Sequence, residues 1–153
     1  MGRRDVALLA ALAGALALSA PAAAALTWRE ISHGSSNGVQ LVSPVALVVN
    51  DRDRAKAYSV ELPPNANNAI ARVELQKNIV VLVLAGFGCR QHRFTVSSIA
   101  QNGTRLFVVV ATQPAPAGTD CMLVGPTYRV LVLPKSELAR PYPTRADTSV
   151  ASA

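Results

Sequence analysis

The chemically versatile side chains of this 153-residue chain are few: two cysteines, Cys89 and Cys121, and two histidines, His33 and His92. A nucleophilic relay can be drawn from Ser97 or Ser98, a histidine and Asp120. No G-x-S-x-G elbow, H-E-x-x-H pair or phosphate-cradling glycine loop accompanies it. Gly86-Phe-Gly88 follows an apolar run but opens no helical pattern, so it reads as turn geometry. Asp51 and Asp53 fit a helix N-terminus, where negative charge is favourable without catalysis. Two thiols with only His92 nearby fall short of a four-ligand zinc set. The residues therefore predict a protein that is not an enzyme and needs no metal or cofactor. A hydrolase using His33 or His92 as its base is the third-ranked reading.

The elements that position these residues are mostly strands. Asn78 to Ala85 (NIVVLVLA) is a continuous apolar run of strand length, suited to a strand covered on both faces. His92 to Ala100 alternates, with Phe94, Val96 and Ser98 on one face. Arg105 to Ala111 is the returning strand, and Asn102-Gly103 between the two is a strong hairpin signal. Asn102-Gly103-Thr104 also matches a glycosylation sequon, which the turn accounts for by itself. Thr127 to Leu133 gives a last strand with Tyr128, Val130 and Val132 on one face. Upstream, Leu26 to Ser32 is β-friendly, and Val39 to Asn50 is β-branched but broken by Pro44. Asp51 caps a single helix over 52–62 with Ala55, Tyr58 and Leu62 on one side, stopped by Pro63-Pro64. Asn65 to Asn68 is a polar loop, and residues 139–153, rich in Pro, Ser, Thr and Ala, form a disordered tail. The expected fold is mainly β: a small antiparallel sheet or β-sandwich with one short helix.

If the last four strands run alternately up and down, the connections 86–91 and 112–126 fall at the same end of the sheet. One carries Cys89 and the other Cys121. A disulfide between them is expected in an oxidising compartment. Closing a loop of about 30 residues would contribute about 3 kcal/mol by chain entropy. Arg90, His92 and Arg93 beside Cys89 make a basic rim that can receive an acidic group of a partner.

The compartment is read from the N-terminus. Met1-Gly-Arg-Arg4 is basic, Val6 to Leu18 is unbroken Ala/Leu/Val/Gly, and Ser19-Ala-Pro-Ala22 with the following alanines offers small residues for cleavage. That order is a secretory signal peptide over 1–25, so the chain is expected to be secreted or in the cell envelope or periplasm. A membrane anchor is the rival, but Pro21 interrupts the run and no basic stop follows. Membrane contact is then transient. Of 15 Lys+Arg and 9 Asp+Glu, cleavage removes Arg3, Arg4 and Asp5, leaving 13 against 8. The charges are scattered without interleaved aromatics, which argues against nucleic acid as a partner.

Several blocks resemble the C-terminal domain of PrcB-type proteins, the protease-complex or protease-stabilising subunits. Val73-Glu-Leu-Gln-Lys-Asn-Ile-Val-Val-Leu-Val-Leu-Ala-Gly86 is similar to the family's buried strand. Phe94-Thr-Val-Ser-Ser-Ile-Ala100 with Leu106-Phe-Val-Val-Val110 resembles its central hairpin. The Pro114–Cys121 loop, Met122-Leu-Val124 and Pro126-Thr-Tyr-Arg-Val-Leu-Val-Leu-Pro134 resemble its Pro-rich, Cys-containing loop and final strand. The likeness covers residues 39–138, within a domain over 26–138, and consists of hydrophobic patterns. Where the family commonly has a Thr-Gly-Gly-Tyr-like stretch, this chain has Gly88-Cys-Arg-Gln-His-Arg-Phe94. The resemblance implies an exported, non-catalytic protein-binding module that stabilises or regulates an extracytoplasmic protease. A secreted protease inhibitor or small-ligand-binding β domain is the alternative.

Overall fold

The computed structural model describes residues 24–36, 41, 43–86, 93–113, 118 and 126–151. Along the chain these form β1 (Arg29–Ser35), β2 (Val45–Val49), α1 (Arg52–Tyr58), α2 (Pro64–Ala71) and β3 (Asn78–Ala85). They continue with β4 (Arg93–Asn102), β5 (Arg105–Gln113), β6 (Thr127–Pro134), a 3-10 turn over Lys135–Glu137, and β7 (Arg145–Val150).

The apolar run of β3 sets the layering. Side chains alternate across a strand, so an unbroken run must find apolar cover on both sides. Ile79, Val81, Val83 and Ala85 pack in one core with Phe94, Ile99, Leu106, Val108 and Val110 of a second sheet. Val80 and Leu82 belong to the other core, with Leu62, Ala66, Ile70 and Val73 from the helical segment. The result is three layers: helices, a four-stranded sheet in the order β1-β6-β3-β2, and a three-stranded sheet in the order β4-β5-β7. The first sheet is antiparallel throughout. In the second, β4 and β5 are antiparallel while β5 and β7 run parallel. The mainly β, sandwich-like architecture expected from the strand patterns is therefore present.

The sheets are joined along both flanks. On one flank the Thr148 hydroxyl donates to the Pro44 carbonyl at 2.6 Å, linking β7 to the lead-in of β2. On the other, Ala25 bridges Ala100, and the Leu26 N–H donates to the Ile99 carbonyl at 2.8 Å before the chain enters β1. The β4–β5 turn uses Gly103 and Thr104 as its two loop residues, since Asn102 pairs with Arg105. Gly103 has φ 57° and Thr104 does not share a positive φ, the arrangement of a II′ turn, which demands glycine at the first position.

Several sequence expectations need correction. The helix predicted over 52–62 ends at Tyr58, although Asp51 caps it as expected by accepting the Arg54 N–H at 2.8 Å. Pro63-Pro64 does not merely stop that helix; Pro63 caps and Pro64 opens α2, where a missing N–H costs nothing. The polar loop over 65–68 is thus helical, held by Ala66 and Ile70 buried against β3 and β6. In β4 a bulge between Val96 and Ser98 shifts the alternation, so Ile99 rather than Ser98 follows Phe94 and Val96 into the core. Finally, residues 145–150 of the expected disordered tail are β7, whose ladder to β5 runs from Arg105↔Arg145 to Val110↔Val150.

Leu131 is fully buried between the sheets, whereas Val60 is 89% exposed. Leu131→Ala should cost about 2–5 kcal/mol of unfolding free energy by opening a cavity. Val60→Ala should stay within about 0.5 kcal/mol. Urea unfolding of the two variants checks both.

Candidate binding surfaces

Of the site residues expected from sequence, Cys89, Cys121, Arg90 and His92 lie outside the described residues. Arg93 opens β4, where its backbone pairs with Gln113. The ends of the two cysteine-bearing connections are described. Ala85 pairs with Thr127 in the four-stranded sheet, and Arg93 with Gln113 in the three-stranded one. These strands were expected in a single sheet. Instead each connection crosses from one sheet to the other, because β3 and β6 need cover that β4 and β5 supply.

Arg129 shows that both crossings lie at one end of the sandwich. From β6 its Nε donates to the Phe94 carbonyl on β4 at 2.7 Å, and its guanidinium lies 5.2 Å from the centroid of the Phe94 ring. Its Nη1 meets Glu30 of β1, which also holds His33 Nδ1 at 2.8 Å. His33 is thus engaged in a surface hydrogen bond with Glu30. The Ser97 hydroxyl donates to the Val109 carbonyl at 3.2 Å, across the β4 bulge. Gly86 sits where an added Cβ would lie 2.7 Å from the Leu41 backbone N, a close-approach glycine at the end of β3. No group of three His, Cys, Asp or Glu side chains able to hold a metal occurs among the described residues.

The opposite end carries a trough. One part, of about 380 Å³, lies between the C-terminal end of α2 and the first residues of β1. Ile31, Ala69, Val73 and Val132 give it apolar walls, and Arg29, Arg72 and Lys77 stand around it with Glu74. A neighbouring hollow of about 350 Å³ shares Arg29, Asn78 and Val132 and continues past Thr27, Trp28 and Pro134. Local sequence explains each placement. Arg72 is the C-cap of α2, Arg29 begins β1, and the turn 74–77 brings Lys77 within 2.7 Å of Glu74.

The charges in the trough do not cancel. The hydrogen bond from Lys77, followed by its charge, holds the Glu74 carboxyl below the usual 4.5 and raises the Lys77 ammonium correspondingly. That pair consumes the one carboxylate lining the trough. Arg29 and Arg72 form no salt bridge among the described residues. Neither was marked as a site residue by sequence, since Arg72 acquires its place only through α2. The nearest signal was Arg29 beside Trp28, the chain's one tryptophan.

No protein-family model matches the chain, and no curated protein or solved structure matches it. Nor is any helix among the described residues long and apolar enough to cross a membrane.

The segment beside the trough is pinned by Glu137, whose carboxylate accepts from the Thr27 hydroxyl at 2.6 Å and from the Thr27 N–H at 3.1 Å. The hydroxyl bond, then the amide bond, lowers the Glu137 carboxyl from its ordinary 4.5. A lowered carboxyl contributes stability above its unfolded value and loses it as pH falls through the folded one. Glu137→Gln should therefore lower the thermal midpoint slightly at neutral pH. The difference from the unsubstituted chain should narrow as pH falls below the ordinary 4.5 and through the lower folded value, as melting curves across the acid range will show.

Proposed function

We propose that this chain is an exported, non-catalytic protein-binding module that stabilises or regulates an extracytoplasmic protease. The observation that carries the binding reading is the trough at the start of β1: apolar walls, two arginines with no carboxylate partner among the described residues, and an edge strand alongside. Such a surface recognises a partner by shape and charge. The choice of a protease as partner rests on the resemblance to PrcB-type proteins alone. A secreted inhibitor is the second reading, and lengthened protease lifetime against lowered protease activity separates the two.

Export is supported by the order of basic, apolar and small residues over 1–25. A cut after Ala25 would remove the Ala25–Ala100 bridge and leave Leu26 as the first residue, retaining the nitrogen that meets the Ile99 carbonyl. The Cys89–Cys121 disulfide is part of the same proposal. Its support is that the strand ends flanking both loops, Ala85 with Thr127 and Arg93 with Gln113, gather at the end tied by Arg129. Bridging requires Cα atoms within about 7 Å. The intact mass of secreted protein under non-reducing conditions should begin at Leu26 and fall two hydrogens short of the sum of its residues. A full-length thiol-reactive product retained in membranes would remove both parts.

The binding reading is tested by affinity capture of the tagged, secreted chain from envelope extract and culture fluid. It should enrich one defined exported protein. Arg90→Ala with Arg93→Ala should reduce the yield if the cysteine-loop rim takes part. Recovery of nothing above an untagged control would sink the proposal.

A further inference from the structure

We infer that the trough beside β1 takes an extended peptide segment carrying a carboxylate and an apolar side chain two residues apart, on one face of the strand. The inference rests on the binding-module reading and names the chemistry of its partner.

Three features select that occupant. Arg29 and Arg72 offer guanidinium forks that match the two oxygens of a carboxylate, while Lys77 is already bonded to Glu74. A bare inorganic anion would use the forks but not Ile31 and Val73, which form an apolar wall beside them. A fatty acid would use both, yet would make no use of the strand. β1 stands at the outer end of the four-stranded sheet, paired only with β6 among the described residues. Its outer edge offers backbone donors and acceptors to an added strand, whose alternate side chains would turn toward the trough.

β1 also carries the irregularity such a site needs. Its register shifts between Glu30 and Ser32, leaving Ile31 as the extra residue. Ile31 packs on the helix-side core while lining the trough, and Arg29 stands at the same wall. A bulge re-aims side chains without ending the strand. Glu30 and His33 are meanwhile engaged with each other, and Glu30 also with Arg129. The recognition groups and the structural ion pairs of β1 are thus different residues.

The test is fluorescence anisotropy of the purified chain with a labelled Val–Glu peptide (Val-Ser-Glu-Ser repeats, which put Val and Glu on one face), a Val–Lys counterpart with Lys for Glu, and laurate and inorganic phosphate as competitors. The Val–Glu peptide should bind and weaken with salt, and the Val–Lys peptide should not. Arg29→Ala with Arg72→Ala should raise the dissociation constant about tenfold or more. Both arginines are exposed, so an unchanged circular-dichroism spectrum should accompany the loss. Equal binding by the double variant, equal binding of Val–Lys, or displacement by laurate or phosphate below the peptide's own dissociation constant would overturn the inference. A captured partner that survives Arg29→Ala with Arg72→Ala but is lost with Arg90→Ala and Arg93→Ala would leave the binding module standing and remove only this site.

Discussion

Burial of β3 on both faces is the constraint from which the other layers follow. A strand reading NIVVLVLA cannot leave either side in water, because each exposed valine or leucine would forgo about 1.5–3 kcal/mol of transfer free energy. One side is covered by β4 and β5, which oblige the chain to leave its sheet after Ala85 and return at Thr127. The other is covered by Leu62, Ala66, Ile70 and Val73, which oblige the segment between β2 and β3 to fold into helices rather than a hairpin. The crossings at one end and the trough at the other are both products of that demand. α2 creates the trough by stopping over β1 and β6 before the turn into β3.

How much of this was legible in the sequence depended on whether the signal was local. The β3 run, the Gly103 turn and the Asp51 cap each carry their cause within a few residues, and each is where it was expected. α2 was not legible because Pro-Asn-Ala-Asn-Asn has loop composition, and its helicity comes from packing Ala66 and Ile70 on a sheet. β7 was hidden for a related reason. Arg145–Val150 has little apolar patterning, and its stability comes from a parallel ladder to a strand about 40 residues upstream. Parallel pairing of this kind leaves no turn signal, since no hairpin joins the strands. The β4 bulge inserts one residue that alternation cannot foresee.

The two proposed contact regions differ in the same way. Arg90, His92 and Arg93 stood out because they are adjacent in sequence to Cys89. Arg29 and Arg72 are more than 40 residues apart and become neighbours only once β1 has paired with β6 and α2 has docked above them. Clusters assembled by topology are invisible to a reading that counts charges along the chain. The scattered basic residues of this sequence hid a local concentration.

Pairing between β1 and β6 joins residues roughly a hundred positions apart, and β7 joins β5 from about 40 residues downstream. Loop closure over such distances carries an entropic cost before any contact repays it, so high contact order slows folding. Until β6 has been made, β1 has no ladder to join, although the β4–β5 hairpin can form from neighbouring residues. Threading through a narrow translocation pore requires an unfolded chain, so for a protein proposed to leave the cytoplasm slow closure of the β1–β6 ladder favours export.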